Sequence, residues 1–130
     1  VMHTETRPKP ALVIYAVAAD LVLVLVFALS GRRSHAETLS VAGVLETAWP
    51  FLVALAGGWL ICRTWAHPVQ LLPRGIYLWL ITLILGMALR LASGATAAIP
   101  FVVVATLVLA LFLLGHRILA TLVLRRSAKA

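Results

Sequence analysis

The feature that constrains this chain most is a set of four apolar runs, over residues 11–30, 41–62, 75–91 and 99–124. An α-helix needs roughly 17–25 residues to cross the ~30 Å hydrocarbon core of a bilayer, and each run reaches that length. In hydrocarbon every backbone N–H and C=O must be paired within the protein, so only helices and closed barrels can span. Barrel strands are ~10 residues long and alternate apolar with polar side chains, and these runs do neither. The expected fold is all-α: a polytopic membrane protein with four transmembrane helices in an up-down bundle, residues 1–10 forming a polar tail and residues 125–130 a basic one. A cleaved signal peptide competes for the first run. That run is longer than the ~7–15 apolar residues of a signal peptide and carries Asp20 near its middle, which favours a span.

Composition excludes the soluble alternatives. Hydrophobic residues make up 63% of the chain and charged residues 12%, against about one quarter charged in soluble domains. Helices apolar on all sides leave no polar face to shield a core from water. The formal charge of +7 does not indicate nucleic acid, because the basic residues stand at the ends of apolar runs rather than in one patch interleaved with aromatics. Cys62 is the single cysteine, so neither an internal disulfide nor a thiolate cluster can form. His3, His35, His67 and His116 lack metal-ligand spacing to one another or to a carboxylate. No metal and no cofactor is expected.

The basic residues orient the chain instead. Four spans place the N-terminus, the second loop and the C-terminus on one side, with Arg7, Lys9, Arg63, Arg74, Arg125, Arg126 and Lys129. The other side has Arg32 and Arg33, with Arg90 near the far end of the third span. The positive-inside rule makes the richer side cytoplasmic, so both termini are expected in the cytoplasm and the protein in the plasma (inner) membrane. Tyr15, Trp59, Trp65, Tyr77 and Trp79 fall near that boundary as an aromatic belt.

Local signals set the ends of the runs. Gly31 suits a left-handed cap on the first helix, and Ser34 to Glu37 has capping-box spacing, so the second helix is expected to begin near His35. Pro50 predicts a kink, since a carbonyl one turn earlier loses its donor. The segment from Arg63 to Arg74, RTWAHPVQLLPR, reads as a hairpin loop. Gly94 suits the end of the third helix and Pro100 the first turn of the fourth.

Within the spans four charged residues stand out, each costing about 2.5–3.5 kcal/mol near a bilayer centre unless it has a partner or a purpose. At ~1.5 Å rise per residue Glu46 and Arg90 lie at similar heights, ~24 and ~22 Å from the cytoplasmic boundary, and can meet. Asp20 lies ~14 Å and Arg117 ~10 Å from it, with His116 adjacent, so the guanidinium can reach that carboxylate or snorkel to water. The expected intramembrane polar site is thus Asp20, Arg117, His116, Glu46 and Arg90. Small residues line the same faces: Gly43, Thr47, Pro50, Ala54, Gly57 and Gly58; Thr82, Gly86, Arg90 and Gly94; Thr106, Ala110, Arg117 and Thr121. Thr82 and Thr106 are expected to bond carbonyls of their own helices. Arg32, Arg33 and His35 form an outer-face cluster that reads as interfacial anchors, or as a site for a lipid phosphate.

Several segments carry a resemblance. Asp20, FALSGRRSH (Phe27 to His35), WPFL (Trp49 to Leu52), GIYLWLITLILGMALR ending at Arg90, IPFVVVA (Ile99 to Ala105) and LLGHR ending at Arg117 resemble a family of short bacterial and archaeal membrane proteins catalogued as domain of unknown function 3054. The resemblance spans about Ala11 to Arg117. It implies four helices and no assigned activity, and it points to Asp20, Gly31, Arg32, His35, Pro50, Arg90 and Arg117 as positions of interest. His116 departs from the aromatic residue expected there, so the resemblance implies no special role for that imidazole.

Two classes of function follow. One is a small transporter or lipid- or solute-handling protein built on the Asp/Arg site, working as a homo-oligomer because four helices alone leave little room for a cavity. The other is a non-catalytic structural or accessory subunit, its buried charges acting as salt bridges that hold the bundle in register and its stripe at Ala54 and Gly58 docking a larger membrane-protein partner. An enzyme is not expected, since no nucleophile–base pair, carboxylate dyad or ligand set is present.

Overall fold

The computed structural model describes residues 9–34 and 40–129, with backbone alone for 32–34, 128 and 129. Among these residues the chain is entirely helical: α1 (Pro10–Ser34), α2 (Val41–Cys62), α3 (Ile76–Ala92) and α4 (Ile99–Lys129). A 3₁₀ turn (Thr64–Ala66) and a wide turn (Leu71–Gly75) lie between α2 and α3. All four helices are long and apolar enough to cross a membrane, and the protein is a multi-pass integral membrane protein.

The helix ends show which local signals acted. Gly31 does not end α1, which continues to Ser34. Its missing side chain serves packing instead, because a Cβ there would stand 3.4 Å from the Phe101 ring. Ser34 is therefore a last-turn residue of α1 and not the cap of the next helix. That role falls to Ser40, whose Oγ accepts from the Gly43 N–H at 3.0 Å. The expected start near His35 lies outside the described residues. Arg63 ends α2 in the left-handed conformation, φ 49°, where its N–H donates to the Leu60 and Trp59 carbonyls. Gly94 adopts φ +90° after α3, a conformation that costs glycine little. Pro50 lies inside α2, which continues through it. Residues 125 to 129 continue α4 rather than forming a separate tail, as the good helix-forming character of Arg, Lys and Ala allows.

Each helix buries one stripe. Ala16, Asp20, Val24 and Phe27 face inward from α1, and Phe101, Ala105, Leu109, Leu113 and Arg117, each four residues from the last, face inward from α4. On α4 the core is thus made by large apolar residues, while the expected small-residue face at Thr106, Ala110 and Thr121 is half-buried. Phe27, Phe51 and Phe101 form an aromatic cluster with ring centroids 5.1–6.2 Å apart.

The small residues of α2 and α3 let those two helices approach most closely. A Cβ on Gly58 would fall 2.7 Å from Leu78 Cδ1, and one on Gly86 would fall 2.7 Å from Phe51 Cε1. Ala54 and Gly58 are buried by this contact. The face expected to dock another protein is already occupied within the chain. Outward positions carry large apolar side chains, among them Ile14, Ile84, Leu107, Leu111 and Leu119, each 65% or more exposed, the surface that hydrocarbon covers.

Candidate functional site

The inward stripes of α1 and α4 face each other, and a charge interrupts each one. On α1 it is Asp20, four residues from Ala16 and from Val24; on α4 it is Arg117, last in the series from Phe101. Both are fully buried. Arg117 does not snorkel to water. Its Nη1 donates to Asp20 Oδ1 at 2.8 Å and its Nη2 to Oδ2 at 2.7 Å, a two-pronged ion pair. The second hydrogen on Nη1 goes to the Leu113 carbonyl at 2.9 Å. Nε points away from the carboxylate and is buried without a partner, as are Thr64 Oγ1 and Thr82 Oγ1. Thr106 does bond its own helix, at the Val102 carbonyl, but Thr82 does not.

Two more side chains complete the carboxylate's shell. The Trp59 indole N–H donates to Asp20 Oδ2 at 2.9 Å, and His116 Nε2 lies 2.6 Å from Oδ1. Asp20 is thereby held by groups from three helices. Trp59 does not lie in an interfacial belt; its indole turns inward, because it continues the buried series Phe51, Leu55 at four-residue spacing. Trp79 also turns inward and donates to the Thr106 carbonyl at 3.2 Å. Tyr15, Trp65 and Tyr77 keep exposed faces, as a belt requires.

His116 has the role that the family resemblance did not imply. Its side chain is 10% exposed and lies between Asp20 and the Tyr15 hydroxyl, which is 3.1 Å from Nδ1. The neighbours assign its protons. Both hydrogens of Arg117 Nη1 are engaged, so Nε2 is best satisfied as an N–H donor to Asp20, leaving Nδ1 to accept from Tyr15. The Nη1 to Nε2 separation of 3.0 Å is then the approach of two donors to one shared oxygen. Tyr15 is 41% exposed. A continuous hydrogen-bonded line therefore joins a buried carboxylate to the protein surface.

Glu46 and Arg90, expected to meet, make no ion pair with each other. Arg90 Nε donates to the Thr96 carbonyl at 2.7 Å, and its guanidinium carbon stands 4.1 Å above the Phe101 ring. These contacts draw it toward the 93–96 turn and α4. Glu46 is exposed. Both residues line one cleft of about 450 Å³, with Thr47, Trp49, Pro50 and residues 93–96. The five residues expected to form one polar site thus divide into two. Of the outer-face cluster, Arg32 and Arg33 fall on the last turn of α1, and His35 lies outside the described residues. No group of three or more metal-ligating side chains occurs among the described residues.

Comparison with known proteins finds one relationship: a family model described as a protein of unknown function (DUF3054) matches residues 17–120. No curated protein matches the chain. No solved structure matches it either.

Proposed function

The chain belongs to the DUF3054 family of unknown function, and from its buried site we propose that it is a small proton-coupled transporter of a solute or lipid, with Asp20 as its working charge. The observation that carries this reading is the line Asp20–His116–Tyr15, which couples a carboxylate inside the membrane to an exposed hydroxyl. Intramembrane carboxylates that can reach water through a histidine are suited to taking up and releasing a proton.

The chemistry is a relay. Tyr15 gives its hydroxyl proton to His116 Nδ1 as it takes one from water, and His116 Nε2 gives its proton to Asp20. One proton has moved from water to the carboxylate, and Tyr15 and His116 are again neutral. A neutral Asp20 no longer offers Arg117 two anionic acceptors. The ion pair that clamps α1 to α4 weakens, and the relative positions of those helices change as the proton arrives and leaves. The excess of Lys and Arg on one side supports an up-down bundle with both termini in the cytoplasm of a plasma membrane. Four helices enclose little space, so two copies would form the pathway.

A second reading is favoured by the saturation of Asp20. Four donor atoms from its own chain hold it, which also suits an accessory subunit that needs only a register lock. Proteoliposomes with a trapped pH dye separate the two. After a pH jump with potassium and valinomycin present, wild-type vesicles should equilibrate faster than empty ones, and Asp20→Asn and His116→Phe should return to the empty rate. Inserted, folded wild type with no proton flux would reject the transporter and leave the lock.

A further inference from the structure

A separate site stands at the opposite ends of α2 and α3 from Trp59 and Leu78. We propose that the cleft between Glu46 and Arg90 binds a zwitterion of the phosphoethanolamine type, a primary ammonium joined by a short linker to a phosphate. This assignment does not depend on proton movement at Asp20.

The argument begins with what the cleft rejects. A carboxylate and a guanidinium line the same space of about 450 Å³ without pairing to each other, a volume in the range of small-ligand sites. A simple anion attracted to Arg90 meets Glu46, and a simple cation attracted to Glu46 meets Arg90. A ligand carrying both charges satisfies both.

Further features divide the cleft into two ends. Arg90 is oriented for recognition, with Nε bonded to the Thr96 carbonyl and its plane held over Phe101. Guanidinium groups fixed in this way match phosphate oxygens well. At the other end Pro50 has no N–H to give to the Glu46 carbonyl, so α2 presents a backbone acceptor beside the Glu46 carboxylate. A primary ammonium has three N–H donors for those two acceptors. A trimethylammonium has none, so the site distinguishes ethanolamine from choline. Leu45 and Leu91, exposed at 49% and 55%, flank the charged pair and suit acyl chains running down the helices.

The same chemistry occurs as a lipid head group and as a soluble molecule, and two arms separate them. In the first, the protein is placed in nanodiscs of equal phosphatidylethanolamine, phosphatidylcholine and phosphatidylglycerol, and retained lipids are counted by native mass spectrometry. Wild type should retain phosphatidylethanolamine over each other lipid by roughly tenfold, the worth of a charge-assisted hydrogen bond. Glu46→Gln and Arg90→Gln should each bring that ratio to about one, and Glu46→Asp should preserve it. In the second, soluble O-phosphoethanolamine is titrated into phosphatidylcholine nanodiscs. Binding there with no lipid preference in the first arm assigns the soluble source. Equal retention of the three lipids with no O-phosphoethanolamine binding would overturn the site, as would a preference that survives Glu46→Gln. Glu46 is exposed, so that variant keeps its fold and decides the matter even if Arg90→Gln does not.

Discussion

Removing one charge from the buried pair should cost far more than removing both. In Asp20→Asn the amide can offer its oxygen to one side of the site only. If that oxygen faces Trp59 Nε1 and Arg117 Nη2, the NH₂ faces Arg117 Nη1 and His116 Nε2. His116 can adapt by moving its proton to Nδ1, but Nη1 is left donor to donor and the guanidinium is left without a counter-charge in a fully buried position. Breaking such a pair from one side costs about 3–5 kcal/mol. Arg117→Met should fall at the lower end of that range, because His116 stands 2.6 Å from the carboxylate and can become the compensating cation. The double variant Asp20→Asn/Arg117→Met buries no charge, and its cost should fall short of the sum of the singles by about 2–3 kcal/mol. The hydrogen bonds alone cannot give this result, since interhelical hydrogen bonds in membranes average only ~0.6 kcal/mol. Reversible unfolding in bicelles, run as a double-mutant cycle, measures the coupling. Additivity within about 0.5 kcal/mol would refute the claim that the ion pair dominates the site.

Smaller perturbations test the rest of the structure. Trp59→Phe removes one interhelical bond to Asp20 and should cost about 0.6–1.7 kcal/mol in the same assay, well below Asp20→Asn. Gly86→Ala places a methyl group against the Phe51 ring and should destabilise by about 1–3 kcal/mol. Gly115→Ala meets nothing within 4 Å and should be neutral or stabilise by up to about 1 kcal/mol, so thermal melts of the two variants should move apart. Reporter fusions at each end should show both termini on the cytoplasmic side; a split result would overturn the orientation drawn from Lys and Arg counts.

The number and kind of elements were legible because they depend on composition over windows of about 20 residues, and a bilayer admits few alternatives to a helix there. The charged residues that need explaining were legible for the same reason: in an apolar run each carries a large cost. Helix ends were less so. Gly31 and Ser34 carry strong local signals, yet α1 runs through both, with Gly31 packing against Phe101.

Partners within the membrane were decided only by tertiary packing. Height along the helix correctly brings Asp20 near Arg117, and the same reasoning brings Glu46 near Arg90, but only the first pair closes. Height is one coordinate, whereas an ion pair also requires both side chains to lie in the angle between facing helices. Arg117 meets that condition as the last member of the stripe from Phe101, and Arg90 turns instead to Thr96 and Phe101. Trp59 and His116 show the same limit from the other direction. One reads as an interfacial anchor and the other as a departure from its family, and packing places both against Asp20. Sequence by itself determined that this protein spans the membrane as four helices and must find some use for its buried charges. Which groups share them depended on helix rotation and close approach, set by residues such as Gly58 and Gly86 whose contribution is the absence of a side chain.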